Sequence, residues 1–483
     1  MTQHTKNLIL TTLIFIFAVF LISSNYYRII YVNDIIRGFL LSMADRAFAR
    51  QSYHTGQIET PLVNTYAVLP AGFTHCGPFL IYNNNAETSL NEVAEKIISF
   101  TSFYRNHRLK NAIQSINGIN GIAIKGGKPV IIPGALPPFM TELRNIRKPP
   151  ILEAKALYFT GLTAGDENTL ALFPRFHTIG LNAVVFDVKD IPGTVSYKSR
   201  VPLAIKINAH DKNPIDNIEL FIRRMKEQNI YVIARIAVFH DQLIVKKAPS
   251  LAIRSRRTGG IWNKGAKEMW CDPTSKAVQD YNIELACEIA DKGADEIQFD
   301  YIRFPTVGDL KDADYAYDFG TMSKDQAITY FLKRARERLQ EKNVRLSIDI
   351  FGVVAWGKEV DIIRTGQRIE LLSRYCDYIS PMLYPSHFND EFDGYGNPAD
   401  HPYYFIFNGN KKVMARLSGN NVIVRPWLQA FKWKVSSYSP EYIIEQIKAS
   451  NDSGGRGYLF WNASNDYKNV YKAMALLHSG AGK

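Results

Sequence analysis

From Lys155 onward, short strand-like segments alternate with amphipathic helical runs, and this alternation constrains the chain more than any other feature. Strands are expected at Ala156–Thr160, Asn182–Val188, Tyr231–Val238, Glu296–Ile302, Arg345–Phe351, Tyr378–Tyr384, Val422–Gln429 and Gly457–Asn462. Helical runs are clearest at Asn217–Gln228, Ala277–Lys292, Ser323–Lys342, Asp361–Ser373 and Pro440–Ser450. A strand returns parallel to its neighbour only through a crossover, so repeated βα units imply a parallel sheet. Eight units over about 325 residues give a (β/α)8 TIM barrel with some long loops. The runner-up is a doubly wound open sheet. That fold usually carries a glycine-rich phosphate loop after its first strand, and Gly161-Leu162-Thr163-Ala164-Gly165 lacks the full spacing.

In parallel α/β folds ligands bind at the C-terminal ends of the strands, which makes Asp300 the first catalytic candidate. It lies towards the C-terminal end of the alternating segment Glu296–Ile302, with Gln298 and Asp300 on one side, Ile297, Phe299 and Tyr301 on the other, and Arg303 just beyond. Side chains alternate faces along a strand, so residues of one parity point into the barrel. Ser347 shares parity with Asp349, Val185 with Asp187 and Lys189, Ile233 with Arg235, Ser380 with Met382 and Tyr384, and Arg425 with Trp427 and Gln429. Each buried charge costs several kcal/mol unless partnered, so packing alone does not account for polar residues on so many strand ends. They read as a binding or catalytic site.

Asp300 and Asp349 fall on neighbouring strands about 4.8 Å apart, which brings their carboxyls to about 5–6 Å. That is near the separation of a nucleophile and an acid/base in retaining glycoside hydrolysis. The chemistry needs one carboxylate ionised and one carboxyl protonated. Lys189, Arg235 or Arg303 could hold Asp300 ionised, while Phe351 and Trp356 could raise the pKa of Asp349; parity does not assign the two roles. Asp187 is a third candidate, as partner or as a ligand of sugar hydroxyls. Tyr301, Tyr384, Trp427 and Trp461 end strands, with Tyr395 and Trp433 in following loops, and such rings stack on pyranose faces. Gln429 and Asn462 are placed to bond hydroxyls.

Four sequences carry a family resemblance: Val185-Phe186-Asp187-Val188-Lys189, Phe299-Asp300-Tyr301-Ile302-Arg303-Phe304-Pro305, Ser347-Ile348-Asp349-Ile350-Phe351-Gly352 and Ser380-Pro381-Met382-Leu383-Tyr384-Pro385. Together, over Lys155 to His478, they resemble the glycoside hydrolase-like barrels grouped as the domain of unknown function DUF4015. They are also similar to other hydrolase-like barrels of bacterial envelope proteins. The resemblance implies a TIM barrel acting on polysaccharide; no cofactor is expected, and the lack of any Cys/His ligand spacing predicts no metal. The competing readings are a non-catalytic glycan-binding scaffold and a metal-dependent deacetylase. The latter needs a tight His/Asp ligand set, whereas His177, His210, His240, His387 and His401 are scattered.

Ahead of the barrel (154–480) the chain divides into four parts. Residues 1–30 hold the apolar run Leu8–Ile22, preceded by Lys6 and free of charge until Arg28. It is long enough for a signal-peptide core and nearly long enough for a spanning helix of about 20 residues. Leu21-Ile22-Ser23-Ser24-Asn25 is a poor cleavage site, so an uncleaved inner-membrane signal anchor is expected, with the barrel extracytoplasmic in a bacterial envelope. Residues 31–65 read as a connector and 136–153 as a proline-rich linker.

Residues 66–135 resemble, most strongly from Asn111 to Gly134, the LysM domain, a βααβ module that binds N-acetylglucosamine-containing glycans such as peptidoglycan. The expected strands are Phe79–Tyr82 and Lys128–Gly134, and the insert Ser99–Leu109 departs from that family. The formal charge is +12, and from Lys96 to Pro150 nine Lys/Arg face one acid, Glu142. Such a surface favours an anionic partner, and no nucleic-acid motif accompanies it. Cys76, Cys271, Cys287 and Cys376 show no ligand spacing.

Overall fold

The computed structural model describes residues 68–137, 148–266, 268–318, 320–417 and 421–480. The apolar run Leu8–Ile22, the connector 31–65 and most of the linker lie outside the described residues. Among the described residues no helix is long and apolar enough to cross a membrane. The chain divides into two compact units, with the main division in sequence between residues 142 and 143.

In the smaller unit Thr88–Ser89 pairs antiparallel with Ala123–Ile124. Helices Leu90–Ile97 and Asn106–Asn117 lie between them in the chain. Ser89 caps the first helix by accepting from the Asn91 N–H, and Gly118 ends the second in a left-handed turn (φ 65°). Leu90, Val93, Ile97, Leu109 and Ile113, spaced three or four apart on each helix, form its core. Phe79–Tyr82, the expected first strand, pairs antiparallel with Val130–Pro133, which lies within the expected closing strand, and Phe73–Cys76 adds a third strand to that sheet.

The larger unit is a closed parallel barrel of eight strands: Lys155–Phe159, Ala183–Lys189, Tyr231–Ala237, Glu296–Asp300, Arg345–Phe351, Tyr378–Met382, a broken seventh (Ile423–Val424 and Trp427–Gln429) and Tyr458–Trp461. The eighth strand pairs with the first, which closes the ring and excludes the open doubly wound sheet. Gly161–Gly165 forms a short helix capped by Thr160 rather than a phosphate loop.

Each expected strand occurs, and the differences at strand ends have local causes. Tyr301 adopts a left-handed conformation (φ 51°) that stops the fourth strand at Asp300. Pro426 supplies no N–H to the ladder and splits the seventh. Gly366 (φ 77°) likewise splits the expected helix Asp361–Ser373 into Glu359–Thr365 and Ile369–Leu372.

Inward-facing side chains fill the barrel in layers. One holds a fully buried ion pair, Arg425 Nη2 to Glu296 Oε1 at 2.5 Å, with the guanidinium over the Tyr378 ring at 4.4 Å. Above it Gln298 Nε2 donates to Ser380 Oγ at 3.4 Å. Removing one member of a buried pair leaves the other charge uncompensated. Arg425→Met is therefore expected to lower the unfolding free energy by about 3–5 kcal/mol. Arg425→Met with Glu296→Leu is expected to lose less than the two single changes together. Urea denaturation of the three variants measures both effects.

Candidate functional site

The C-terminal ends of the strands open into a cavity of about 770 Å³. Its floor is a charge triad. Arg235, an inward residue near the end of the third strand, donates from Nη1 to Asp187 Oδ1 at 2.5 Å and from Nη2 to Asp300 Oδ2 at 2.5 Å. Its Nε also donates to Asp300 Oδ2, at 3.1 Å. Strand register sets this up, since Asp187 stands opposite Arg235 on one side and Gln298 on the other. The Tyr158 hydroxyl donates to Asp187 Oδ2 at 2.5 Å, and the Tyr301 N–H to Asp300 Oδ1 at 2.6 Å. Only 3% of Asp187 and 4% of Asp300 is exposed. Burial opposes the charge on Arg235, but the Asp187 and Asp300 carboxylates outweigh it and hold the guanidinium above its ordinary pKa.

Asp187, Arg235, Asp300, Tyr301, Arg303, Tyr384, Trp427 and Trp461 all line the cavity, so eight of the twelve sequence candidates converge there. The other four do not reach the wall. Asp349 is fully buried, its Oδ1 accepts from Trp427 Nε1 at 2.8 Å, and its Oδ2 has no partner. Burial, joined by the Asp300 charge, pushes its pKa well above the ordinary carboxylate value. Trp356, expected beside it, donates instead to Asp393.

Lys189 was expected to share the inward parity of Asp187. A register shift between the two turns it away, and its Nζ pairs with Asp241 Oδ2 at 2.7 Å and donates to the Val238 carbonyl. Gln429 spans loop backbone, accepting from the Ser386 N–H and donating to the Phe431 and Trp433 carbonyls. Asn462 does the same with the Ala430 and Asp466 carbonyls and the Ser464 N–H. These two amides position rim loops, and their hydrogen-bonding capacity is directed into protein.

Residues that sequence reading passed over complete the wall. Tyr158 is the last inward side chain of the first strand. His387 stands on the turn after the sixth strand, against Tyr384 and Trp433. Asp190 follows the second strand in a tight Asp190–Thr194 turn, where its Oδ1 accepts from the Thr194 N–H at 2.8 Å. Burial pushes its carboxyl up to about 6, against hydrogen bonds from Thr194 and Gly193. The signal for Asp190 was the sequence Asp190-Ile191-Pro192-Gly193, a turn immediately after a strand end. Among the described residues no three His, Cys, Asp or Glu side chains form a metal-holding group.

The cavity thus combines carboxylates in contrasting environments, a clamped guanidinium and an aromatic wall in which Tyr158 and Trp461 stack at 6.4 Å. A closed parallel barrel with such a cleft at its strand ends defines the class of barrel enzymes in which carbohydrate hydrolases are found. The chain belongs to the family DUF4015, described as "Putative glycosyl hydrolase domain", which matches residues 156–467.

Among solved structures, the glycoside hydrolase domain of PgaB (BpsB) from Bordetella bronchiseptica is similar at 14% identity and TM-score 0.50, over 68% of this chain and 99% of that one. A hypothetical protein from Ruminiclostridium thermocellum is 38% identical over 40% of this chain and 96% of that one, with a TM-score of 0.36. The spore cortex-lytic enzyme SleL of Bacillus megaterium matches at 12% identity over 82% of this chain and 85% of that one, with a TM-score of 0.40. No curated protein matches the chain.

Arg235→Met is expected to strand two buried carboxylates. Burial already raises the Asp187 carboxyl, and loss of the guanidinium raises it further, so the added destabilisation is smallest at low pH, where the carboxyl is protonated, and grows as pH rises. Denaturation midpoints should differ little from wild type near pH 4 and by the equivalent of about 3–5 kcal/mol near pH 8.

Proposed function

We propose that this protein hydrolyses glycosidic bonds of a bacterial envelope or extracellular polysaccharide by a two-carboxylate mechanism. The observation that carries the proposal is the pairing of two different carboxyls in one cavity. Asp300 is clamped by Arg235 and the Tyr301 N–H, whereas Asp190 is raised to about 6. Glycoside hydrolysis needs this contrast, because one carboxylate stabilises or attacks the anomeric centre while a protonated carboxyl delivers its proton to the leaving oxygen.

Asp300 takes the first role. Its charge-assisted bonds position it, and one guanidinium shared between Asp187 and Asp300 fixes both. Asp190 takes the second, as the carboxyl on the cavity wall that keeps a proton into the mildly acidic range. Asp349, the other carboxyl picked out by strand parity, lies beneath the wall and supports Trp427 and the Asp300 field. Tyr158, Tyr384, Trp427 and Trp461 supply faces on which sugar rings stack.

The order of strand Phe79–Tyr82, helices Leu90–Ile97 and Asn106–Asn117 and strand Val130–Pro133, with the two strands paired antiparallel, supports the LysM-like reading of the smaller unit as a module that holds glycan. The apolar run Leu8–Ile22 supports anchoring at the inner membrane, with both units extracytoplasmic. Fusing a reporter active only outside the cytoplasm after residue 65 tests that orientation.

The catalytic test is reducing-end release from a panel of envelope polysaccharides and peptidoglycan. Wild type should cut one polymer, and Asp300→Asn should lose at least about 10³-fold of the rate while retaining it. Asp190→Asn should lose about 10²–10⁴-fold. Donor protonation is required, so the wild-type rate should fall as pH rises through about 6, and that limb should vanish in Asp190→Asn. If Asp349→Asn rather than Asp190→Asn removes the limb, the donor role passes to Asp349. If no polymer is cut and one is retained equally by all variants, the barrel is a glycan-binding scaffold.

A further inference from the structure

The charge balance of the cavity is incomplete. Arg235 is fully used by Asp187 and Asp300, but Arg303, which also lines the cavity, makes no ion pair among the described residues. Only 8% of Arg303 is exposed, and its one hydrogen bond runs from Nη1 to the Phe304 carbonyl at 3.0 Å. Aromatic rings hold the guanidinium instead: Trp270 at 4.8 Å, Phe351 at 5.0 Å and Tyr301 at 5.4 Å from its carbon. Those faces fix the plane of the fork and exclude water without neutralising it. Burial outweighs the Asp300 and Glu268 charges, which act on Arg303 from beyond ion-pair distance, and that cost falls when a ligand brings the opposite charge into contact. Lys212, an exposed cation at the same cavity, adds positive potential at the entrance.

We infer that Arg303 is a specificity-determining residue that binds a carboxylate substituent of the sugar, so that the substrate is a carboxylate-bearing glycan. This rests on the glycan reading of the cavity. A planar guanidinium with free donors matches a carboxylate in shape and hydrogen bonding. The carboxyl groups of Asp187, Asp190 and Asp300 line the same cavity, so a monoanion meets less repulsion there than a dianionic phosphoryl group. Among the sugars that present this group are a hexuronic acid, with the carboxylate on the ring, and a sugar bearing a lactyl ether. They place it at different distances from the pyranose face.

The test is calorimetric titration of the full chain with matched pairs that differ in the carboxylate. Glucuronate is compared with glucose, galacturonate with galactose, and N-acetylmuramate with N-acetylglucosamine. At least one acidic member should bind tenfold or more tightly than its neutral partner, and the pair that does so identifies the source of the carboxylate. Arg303→Met should erase the difference while leaving neutral-sugar binding in place, and Arg303→Lys, which keeps charge without the fork, should retain only part of it. Raising the salt from 50 mM to 500 mM should narrow the gap in wild type. Equal binding within every pair overturns the inference and leaves the glycan reading standing, and it does so in wild type even if an Arg303 variant fails to fold. A preference for the acidic member that survives intact in a folded Arg303→Met also overturns it. Binding of none of the six sugars overturns the inference and the glycan reading together.

Discussion

The Asp187–Arg235–Asp300 triad is the interaction on which the rest of the site depends. Three charges stand on three adjacent strands of a barrel, each almost wholly removed from water. Isolated, any one would be prohibitively costly. Together they are tolerated because register places the guanidinium between the two carboxylates, with Tyr158 and the Tyr301 amide taking up remaining lone pairs. The left-handed turn at Tyr301 belongs to the same arrangement. A tyrosine at φ 51° is unfavourable by itself, yet it turns the N–H onto Asp300 and sets the ring on the cavity wall. Backbone strain, buried charge and ligand surface therefore meet at one strand end.

Environment, more than residue type, separates the carboxyls around that triad. Asp300 is paired, Asp349 is sealed beneath Trp427 with one oxygen unpartnered, and Asp190 sits in a tight turn at the wall with a raised pKa. Burial thus raises the Asp349 and Asp190 carboxyls while Asp300 is held in an ion pair, the contrast that general acid catalysis beside a second carboxyl uses. Arg303 is the counterpart among the cations. Arg235 is neutralised from within the protein, while Arg303 is held flat by rings and left for a ligand.

Much of this was legible in the sequence because the dominant signal is local. Strand parity and helical spacing give the eight βα units, and parity alone brings Asp187, Arg235, Asp300 and Trp427 inward. What escaped is set by single-residue backbone events that periodicity does not encode. The register shift after Asp187 sends Lys189 to Asp241, and the end of the seventh strand turns Gln429 to loop backbone. Depth was equally hidden: the parity of Asp349 is inward, but the indole of Trp427 covers it. Asp190 lies outside any strand, so only its turn sequence marked it. In the smaller unit Phe79–Tyr82 and its partner within Lys128–Gly134 were legible as strands, while the third strand Phe73–Cys76 was not.

The most direct test of the central claim, that this cavity cuts a glycan with water, is the mass of the products formed in water enriched in oxygen-18. Hydrolysis by Asp300 and a protonated carboxyl places one oxygen-18 at each new reducing end, and Asp300→Asn should yield none. Cleavage without label, accompanied by an unsaturated sugar at the new non-reducing end, would mean elimination in place of hydrolysis and would contradict the account. Retention of polymer with no product at all would contradict it equally.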